Sequence, residues 1–359
     1  MYTAYINKKY ISNIIVFLCT LLYNYKKCEF DDKFLIINIL KGMKATMKYK
    51  IFVDGSEGTT GLQINERLAS RSDLDILKID YDKRKDINER KKYINSADIV
   101  FLCLPDSAAI EAVSLIDNPS TRVIDASTAH RTNIDWAYGL PELSQEHRLK
   151  IKNSTRVANP GCYPTGFLSI MYPLVTGGIV QKDYPVTIHA ISGYSGGGKK
   201  RIEEFEAPDG NPFESPQLYG LGLAHKHVSE MTKISGLSFA PIFSPIISSY
   251  YKGMSVCVPL YSRLLPGTPT KESIHKYLST YYKEEKYIKV MPLDVEKSYT
   301  NGFLGATRVN GTNYLEIYVV GNAEQIMLIA VLDNLGKGAS GAAIQNMNIM
   351  LGLQEDISL

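Results

Sequence analysis

The residue with the most unusual setting in this sequence is Cys162, in the segment ANPGCYPTG. Proline and glycine on both sides fix an irregular backbone there, and the apolar segment that follows, 167–174, is predicted to be a helix. A cysteine near a helix N-terminus has its thiolate stabilised by the helix dipole and by unpaired N–H groups, so we expect a lowered pKa at Cys162. The same N–H groups can hold an oxyanion. These features favour a nucleophile over a small buried core cysteine.

Two histidines, His225 and His227, lie two residues apart in the segment GLAHKHVSEM. A thiolate that makes and breaks an acyl bond needs an acid–base partner with a pKa near neutral, and histidine is the usual one. If the segment is extended, both imidazoles share a face while Glu230 points elsewhere, and we expect one histidine to lie toward Cys162. The alternative is a zinc site. Structural zinc sites usually have closely spaced ligand pairs at both ends, which this sequence lacks, so we predict no metal.

A glycine-rich and basic segment, ISGYSGGGKK, lies between the cysteine and the histidines. Ser192, Gly193 and Ser195 can present hydroxyls and N–H groups, and Lys199 adds positive charge beside Lys200. This combination suits a phosphate or a phosphoryl leaving group. The alternative is a flexible glycine loop without function. Its place between the other two segments favours the first interpretation.

Three glycines, Gly55, Gly58 and Gly61, follow the first predicted strand in the segment FVDGSEGTTGLQI. Such glycines let the backbone approach a pyrophosphate closely, while the free N–H groups of the next helix face the anion. We therefore predict a dinucleotide-binding turn. The spacing G-x-x-G-x-x-G is not the common one, so a purely structural turn is the alternative. Three hydroxyl residues of the turn are assigned to the cofactor with the glycines: Ser56, Thr59 and Thr60.

Two features bear on which nicotinamide cofactor binds. Asp80 ends the second predicted strand, where a carboxylate can accept hydrogen bonds from the ribose of the unphosphorylated cofactor. Lys83, Arg84 and Lys85 follow, and could instead hold a 2′-phosphate, although a basic run is also typical of a solvated surface. We favour NADP(H), with Arg84 as the phosphate contact.

The elements that must position these residues follow two patterns. In the first part of the chain, apolar strand segments alternate with helical ones, as in a doubly wound α/β sheet: 49–53, 74–79, 97–104 and 122–125. After Cys162, strand segments with period-2 alternation and few helical crossovers indicate a largely antiparallel sheet: 186–191, 239–245, 253–259, 312–320 and 326–332. Two further helices are predicted, 271–282 and an amphipathic 339–351.

The totals are those of an ordinary globular protein. A length of 359 residues exceeds what one core usually supports, so we expect two domains. The 40 basic residues are interspersed with 37 acidic ones, which argues against a nucleic-acid partner. Five scattered cysteines indicate a reducing compartment, hence a cytoplasmic protein, and Cys103 and Cys257 inside apolar strands are interpreted as core residues.

Residues 1–46 fit the rest of the chain poorly. The apolar run 14–22 resembles a signal-peptide core, but it is too short to span a bilayer and no small-residue cleavage site follows it. Because Met47 and Lys48 directly precede the first predicted strand, we expect Met47 to be the natural start and residues 1–46 to be an extension outside the fold. A membrane anchor is the alternative. We expect no membrane partner.

Five segments together carry a resemblance to a known family: ANPGCYPTG, SGYSGGGKK, LAHKHVSEM, DGSEGTTG and NLGKGASGAAIQNMN. From about Met47 to the end, the chain resembles N-acetyl-γ-glutamyl-phosphate reductase of arginine biosynthesis, in its shorter, type 2 form. The resemblance implies NADPH as reductant, a homodimer or homotetramer, and a last helix that returns to the cofactor, with Asn334 among its ligands. It thus implies a Rossmann domain of residues 47–161 plus 333–359 and an α+β substrate and oligomerisation domain of residues 162–332.

The resemblance also implies a reaction and roles in it. N-acetyl-γ-glutamyl phosphate would be reduced to N-acetylglutamate semialdehyde through a thioacyl intermediate on Cys162, with release of inorganic phosphate. His225, the first histidine of the pair, would be the acid–base residue, and His227 and Glu230 would lie with the substrate. Ser229 stands where the family usually has proline, a departure that affects the expected local backbone rather than the chemistry.

Two more residues are assigned to the substrate. The Asn159 amide is a candidate helper for the N–H groups that would hold the oxyanion at Cys162. Arg131, in the segment DASTAHR, is a candidate for the substrate carboxylate because its planar fork matches that group. A surface ion pair at Arg131 is an equal alternative.

Two rival functions stay open on the residues alone. Aspartate-β-semialdehyde dehydrogenase shares the reaction type and the architecture, but the HKH pair and the GYSGGGKK loop argue against it. A catalytically silent dinucleotide-sensing protein on the same scaffold would bind without turnover. The presence of both the cysteine and the histidines argues against that function.

Overall fold

The structure, a computed structural model, describes residues 48–207, 215–293 and 301–359. Lys50–Leu359 form one compact unit. The expectations for residues 1–46, including the apolar run 14–22, lie outside the described residues. Within the described part of the chain, no helix is long and apolar enough to cross a membrane.

The first sheet is the doubly wound one. Its strands are β1 (Tyr49–Asp54), β2 (Leu74–Leu77), β3 (Ile99–Leu102), β4 (Arg122–Asp125), β5 (Ala137–Tyr138) and β6 (Arg156–Ala158). In the described residues the order is β2-β1-β3-β4-β6-β5, and β1–β3, β3–β4, β4–β6 and β5–β6 pair in parallel. Every residue of β3 is buried, as a parallel strand covered on both faces requires. The predicted fold of this part is confirmed.

Helices connect these strands. They are α1 (Thr59–Leu68), α2 (Ile87–Ser96), α3 (Asp106–Ser114) and α4 (Gln145–Asn153). One predicted boundary is wrong, since β2 ends at Leu77 and Asp80 is the residue before a 3-10 turn, Tyr81–Lys83. Asp80 therefore does not end the second strand.

The second sheet is mixed and mainly antiparallel. Its strands are β7 (Thr187–Gly193), β8 (Gln217–Leu218), β9 (Ile242–Ser248), β10 (Met254–Tyr261), β11 (Ile288–Val290), β12 (Leu315–Gly321) and β13 (Gln325–Leu332). In the described chain the order is β11-β12-β13-β10-β7-β9-β8. The pairs β11–β12 and β7–β9 are parallel, and the other four are antiparallel. The prediction of a largely antiparallel sheet is confirmed. Strand β9 begins at Ile242 rather than at the predicted residue 239, and it continues past Pro245 to Ser248. The Pro245 carbonyl accepts a hydrogen bond from Tyr219 N at 3.2 Å.

Helix α5 (Cys162–Thr176) is the central helix on this sheet, and it begins at Cys162 rather than at the predicted residue 167. Its apolar side chains join the core cluster formed by β10 and β13. At Gly166 a β-carbon would lie 2.8 Å from Cγ2 of Val256, so the helix backbone packs close to β10. The remaining helices of this part are α6 (Gly198–Phe205), α7 (His227–Ser235) and α8 (Lys271–Tyr281).

After β13 the chain passes through a π-helical turn, Gly336–Ser340, into the last helix, α9 (Gly341–Leu351). This helix contacts α1, α4 and β4 of the first sheet. Nη1 of Arg71 also donates to Oδ1 of Asn348 at 3.0 Å. These contacts support the predicted return of the chain to its first domain, whose limits, 47–161 plus 333–359, stay a prediction, as do those of the second, 162–332.

Gly166→Ala tests the close packing of α5 on β10. Alanine is favoured over glycine inside a helix by about 1 kcal/mol, but the added methyl would overlap Val256. We expect the overlap to dominate and the free energy of unfolding to fall by about 1–3 kcal/mol, measured by urea denaturation. Adding Val256→Ala should make the combined loss smaller than the sum of the two single losses. Gly305→Ala is the control, because no described atom lies within 4 Å of its β-carbon. An unchanged G166A midpoint contradicts the expectation.

Candidate active site

A cavity of about 590 Å³ lies among the start of α1, the start of α5 and the segment before α7. It brings together residues that lie far apart in the sequence. The predicted site residues that line it are Cys162, His225, His227, Arg131, Asn159, Ser195, Thr59, Thr60 and Asn334. Cys162, the histidine pair and the end of the dinucleotide-binding turn, residues 55–61, therefore share a cavity. This turn is called the cofactor turn below.

Cys162 is the first residue of α5 and is partly exposed to the cavity. Burial raises the pKa of its thiol to about 11, although Arg131 and the N–H groups of Tyr163 and Cys162 act in the opposite direction. The expected lowering of this pKa is wrong for the structure, because desolvation outweighs the helix N-terminus. The thiol form therefore predominates at neutral pH.

Glu230 contacts the turn of residues 159–161 that precedes Cys162, called the cysteine turn below, and is only 1% exposed. Its Oε1 accepts from Gly161 N at 2.9 Å and from the Tyr138 hydroxyl at 2.7 Å, and its Oε2 accepts from Nη1 of Arg131 at 3.1 Å. The expectation that Glu230 points elsewhere than the two histidines, which assumed an extended segment, is wrong. Its segment is not extended: α7 begins at His227, which places Glu230 in the first helical turn.

Arg131 is buried, and its ion pair with Glu230 is buried as well. The alternative of a surface ion pair at Arg131 is therefore wrong. Besides Glu230, it donates from Nε to the Asn159 carbonyl and from Nη2 to the Ala126 carbonyl, each at 2.9 Å. A β-carbon on Gly161 would lie 2.6 Å from Nη1 of Arg131 and 2.7 Å from Nε2 of His227. Glycine at 161 is therefore what lets both side chains approach the start of α5.

The two histidine rings pack against each other, with centroids 4.8 Å apart. Nδ1 of His225 accepts from the backbone N of His227 at 3.1 Å, which assigns the proton of a neutral His225 to Nε2. Burial lowers the pKa of His225 to about 4, with Lys226 acting in the same direction. Burial, followed by Arg131, holds the pKa of His227 well below its usual range. Both rings are therefore neutral at neutral pH.

Asn159 is buried behind the cysteine, and its amide is already used. Its Nδ2 donates to the Ala339 carbonyl at 3.0 Å, and its Oδ1 accepts from Nδ2 of Asn346 at 3.2 Å. The amide therefore joins the cysteine turn to the turn Gly336–Ser340. Its role as an oxyanion helper stays a prediction.

The glycine-rich segment contributes to the cavity differently from the expectation. The N–H groups of Gly193 and Ser195 donate to the carbonyls of Gly253, at 2.9 Å, and Tyr251, at 3.0 Å, so neither is available to a ligand. Ser192 is buried and donates from its hydroxyl to the Gly193 carbonyl at 3.1 Å. The expectation that the N–H groups of residues 193 and 195 are exposed is thus wrong, because they pair with the segment that precedes β10.

Other parts of the same segment reach the cavity. Ser195 lines it, with its hydroxyl accepting from Nδ2 of Asn334 at 3.0 Å. Lys199 is exposed, lies 4.0 Å from the carboxylate of Glu203, and is not among the lining residues, whereas Gly196–198 and Arg201 are. Asn334 also accepts from Gly253 N at 2.7 Å, so it fastens this wall of the cavity to the start of β10.

The cofactor turn has the close backbone contacts that dinucleotide binding needs. Gly55 has a φ of +87°, and a β-carbon there would lie 2.3 Å from the Cys103 carbonyl oxygen. A β-carbon on Gly61 would lie 2.4 Å from the Gly55 carbonyl oxygen and 2.9 Å from Cα of Ser56. Gly58 precedes α1 and is less crowded. The first N–H groups of α1, at Thr59 and Thr60, have no helical partner and face an anion readily, so the turn fits a pyrophosphate.

Arg84 lies outside this cavity, in the turn after β2. Its guanidinium stacks over the Tyr81 ring, 3.4 Å from the ring centroid. The stacking orients Arg84, and its contact with a 2′-phosphate stays a prediction.

Two tyrosines and two cations of the cavity wall were not predicted. The Tyr219 hydroxyl donates to the Tyr163 hydroxyl at 3.0 Å, and the Tyr163 ring centroid lies 6.1 Å from each histidine ring. Arg201 and Lys226 also line the cavity. The sequence signal for these two cations is their position, since Arg201 follows two lysines and Lys226 separates the two histidines.

Cys103, Cys162 and Cys257 are free thiols among the described residues. Burial raises the pKa of Cys103 to about 12, as expected for a core cysteine. Within the described ranges, no group of three or more His, Cys, Asp or Glu side chains is placed to hold a metal ion.

Comparisons with known proteins agree with this architecture. A family model described as "Semialdehyde dehydrogenase, NAD binding domain" matches residues 37–151, and one described as "Semialdehyde dehydrogenase, dimerisation domain" matches residues 162–334. Fold and site thus define a protein of the semialdehyde dehydrogenase class.

Curated relatives define the family more narrowly. N-acetyl-gamma-glutamyl-phosphate reductase 2 from Nostoc sp. is 48% identical over 320 residues, which cover 87% of this chain and 99% of the relative. The protein of the same name from Pseudomonas putida is 50% identical over 304 residues, 84% of this chain and 96% of the relative. The chain belongs to the N-acetyl-γ-glutamyl-phosphate reductase family, and the resemblance found in its motifs is confirmed.

Solved structures of another enzyme share the fold. Aspartate semialdehyde dehydrogenase II from Vibrio cholerae has a TM-score of 0.63 and 16% identity, and covers 86% of this chain and 99% of its own. The enzyme from Francisella tularensis has a TM-score of 0.64 and 15% identity, with 84% and 100% covered. At such low identity the likeness concerns the fold alone.

Opposite charge changes beside Cys162 should move its reactivity in opposite directions. Glu230 raises the pKa of the thiol and Arg131 lowers it, so we expect Glu230→Gln to shift the pH profile of Cys162 alkylation to lower pH and Arg131→Gln to shift it to higher pH. The rate of iodoacetamide labelling, followed by mass spectrometry between pH 6 and 10, measures this. Asp73→Asn, outside the cavity, is the control. Shifts in the same direction would show that structural damage, not charge, controls the thiol.

Proposed function

We propose that this protein catalyses the NADPH-dependent reduction of N-acetyl-γ-glutamyl phosphate to N-acetylglutamate semialdehyde, a step of arginine biosynthesis, in the cytoplasm. The observation that carries the proposal is that Cys162, at the start of α5, shares a cavity with His225 and with Thr59 and Thr60 of the cofactor turn. The names of the relatives supply the substrate. Free thiols among the described residues suit a reducing compartment.

Cys162 takes up the acyl group. Its thiolate attacks the γ-carbonyl carbon, the bond from that carbon to the phosphate oxygen breaks, and a thioester forms while inorganic phosphate leaves. Arg131 and the N–H groups at the start of α5 favour the thiolate, whereas burial disfavours it more strongly. The thiolate fraction, and with it the rate of acylation, therefore rises with pH across the neutral range.

The oxygen of the tetrahedral adduct forms beside the start of α5, where backbone N–H groups can donate to it. His225 carries its proton on Nε2, because Nδ1 accepts from His227 N, and it can offer that proton to the same oxygen. His227 is more deeply buried and lies against Gly161. This supports His225 as the acid–base residue and His227 as its neighbour in the wall.

The nicotinamide cofactor, when bound, supplies the hydride that converts the thioester to the aldehyde. Gly55 and Gly61 let the turn close on the Cys103 carbonyl and on its own backbone. The N–H groups of Thr59 and Thr60, at the start of α1, would then hold the pyrophosphate. Arg84, oriented by Tyr81, would select the 2′-phosphate of NADP(H).

The departing phosphate needs cations and N–H donors. Gly196–198 and Arg201 line the cavity at the start of α6, where helical N–H groups lack partners. We assign the phosphate to this wall, with Ser195 at its edge. Lys199, exposed outside the cavity, has no part in this assignment.

Cys162→Ser tests the proposal. We expect the variant to lose reductase activity by roughly three orders of magnitude or more, because serine is a far weaker nucleophile, while it binds NADPH as the wild type does. Activity is measured as phosphate-dependent reduction of NADP⁺ with N-acetylglutamate semialdehyde, and binding as quenching of tryptophan fluorescence. Cys257→Ser, outside the cavity, is the matched control. Retained turnover in C162S, or a wild-type preference for aspartate semialdehyde in a parallel assay, overturns the proposal.

A homodimer through the second sheet is also proposed. One face of that sheet packs on α5, while on the other face apolar side chains such as Ile191, Ile246 and Ile329 are only half buried and Met327 is 40% exposed. Partly exposed apolar side chains on a sheet face are typical of an oligomer interface. The family model that covers this part is described as a dimerisation domain, which supports the assignment.

Charging this face should separate the subunits. Ile246→Arg combined with Met327→Arg would bury cations without partners in a dimer, so we expect a monomer at micromolar concentration in sedimentation velocity. Ile110→Arg, at an exposed position of α3, is the control and should leave assembly unchanged. A doubly substituted protein that still forms wild-type dimers excludes this interface, and wild-type tetramers would require a second one.

A further inference from the structure

The turn Gly336–Ser340 touches the candidate active site through successive residues. A β-carbon on Gly338 would lie 2.8 Å from Cβ of Cys162, so the turn packs directly on the nucleophile. The Ala339 carbonyl accepts from Nδ2 of Asn159 at 3.0 Å. The Ser340 hydroxyl lies 3.0 Å from Oε1 of Gln63, on the helix of the cofactor turn. A displacement of this turn would therefore be felt at Cys162 and at α1.

Lys337 anchors the turn by a buried ion pair. Its side chain is fully buried, and Nζ lies 2.6 Å from Oε1 of Glu142, whose side chain is also fully buried. The same ammonium donates to Oε1 of Gln345 at 2.7 Å, and Nε2 of Gln345 donates back to Glu142 at 2.8 Å. The Tyr287 ring covers the ammonium, 5.7 Å away. Three elements, the turn before α4, the turn before α9 and α9 itself, are thereby held together.

Stability alone gives little reason for this arrangement. A buried ion pair loses the hydration of both charges, and apolar side chains of similar volume often stabilise a protein equally well. What the pair does provide is a unique position for the turn, because charge and hydrogen-bond geometry restrict it in a way that apolar contacts do not. A π-helical turn is an uncommon conformation that is frequently found at functional sites.

We propose that Lys337 is a positioning residue for the proposed nucleophile: its ion pair with Glu142 fixes the turn Gly336–Ser340 so that Gly338 holds Cys162 and Ala339 holds Asn159 in their reactive arrangement. Lys337 contacts neither substrate nor cofactor in this role. The inference rests on the proposed function only where turnover is the readout. Alkylation of Cys162 tests the positioning without any substrate.

The main variants are Lys337→Met and the double variant Glu142→Gln with Lys337→Met. The single substitution leaves a buried carboxylate without its cation and is expected to lower the melting temperature. The double one removes both charges and should regain most of that stability. In both, we expect kcat to fall roughly 10- to 100-fold with the KM values for NADPH and for the acyl substrate within about twofold, as for a misplaced reacting group. The rate of Cys162 alkylation by iodoacetamide should change in both as well.

A second route perturbs the contact and leaves the ion pair in place. Gly338→Ala places a methyl group against Cys162, so it should change the alkylation rate and lower kcat as Lys337→Met does. Gly305→Ala and Lys152→Met, an exposed lysine of α4, are the matched controls for the two kinds of substitution.

The outcomes separate positioning from stability and from the proposed function. A double variant that regains stability but not kcat supports the proposal. A double variant, or G338A, with wild-type kcat and wild-type alkylation overturns it. If K337M fails to fold, the other two variants decide by the same criteria. Absence of reductase activity in the wild type would refute the proposed function, while the alkylation rates would still decide the role of Lys337.

Discussion

The candidate site depends on one buried carboxylate. Glu230 joins the first turn of α7 to the turn before α5, to β5 and, through Arg131, to the loop after β4. Burying a charge of this kind is costly unless every lone pair finds a donor, and here three donors surround the two oxygens. Because the carboxylate fixes the start of α7, it also fixes where the preceding histidines lie. The position of the histidine pair in the cavity therefore depends on the hydrogen bonds of Glu230.

Burial has the largest effect on the thiol of Cys162. Arg131 favours the thiolate and Glu230 disfavours it, but burial outweighs both and raises the pKa to about 11. Burial keeps both histidines neutral as well. Arg201 and Lys226 place positive charge in the wall of the same cavity. The cavity therefore combines neutral histidines and a buried thiol with cations suited to a phosphorylated substrate.

Sequence patterns predicted the two sheets because buried strands and crossover helices leave a periodicity in the chain itself. Cys162, His225 and His227 were predicted because few residue types can do their chemistry. The errors have local causes. The segment before Glu230 is helical from His227 onward, and an acidic residue in a first helical turn is a helix signal. At Cys162 burial outweighs the helix dipole, so the pKa is raised and not lowered. The predicted limits of β9 are wrong because the strand continues past Pro245, where the carbonyl pairs with Tyr219, a residue distant in the sequence.

Other residues of the site and its surroundings have no recognisable signal in the sequence near them. Tyr219 and Lys337 act through Tyr163 and Glu142, which are far away in the chain, and nothing near them in sequence indicates those partners. This bears on specificity. Aspartate semialdehyde dehydrogenase II from Vibrio cholerae shares the fold at 16% identity, and a shared fold does not determine which substrate a site accepts. Among the described residues, β8 and Tyr219 face the cavity and belong neither to the cofactor turn nor to the start of α5. Side chains in such positions can differ between enzymes that share the fold without moving the nucleophile or the cofactor turn.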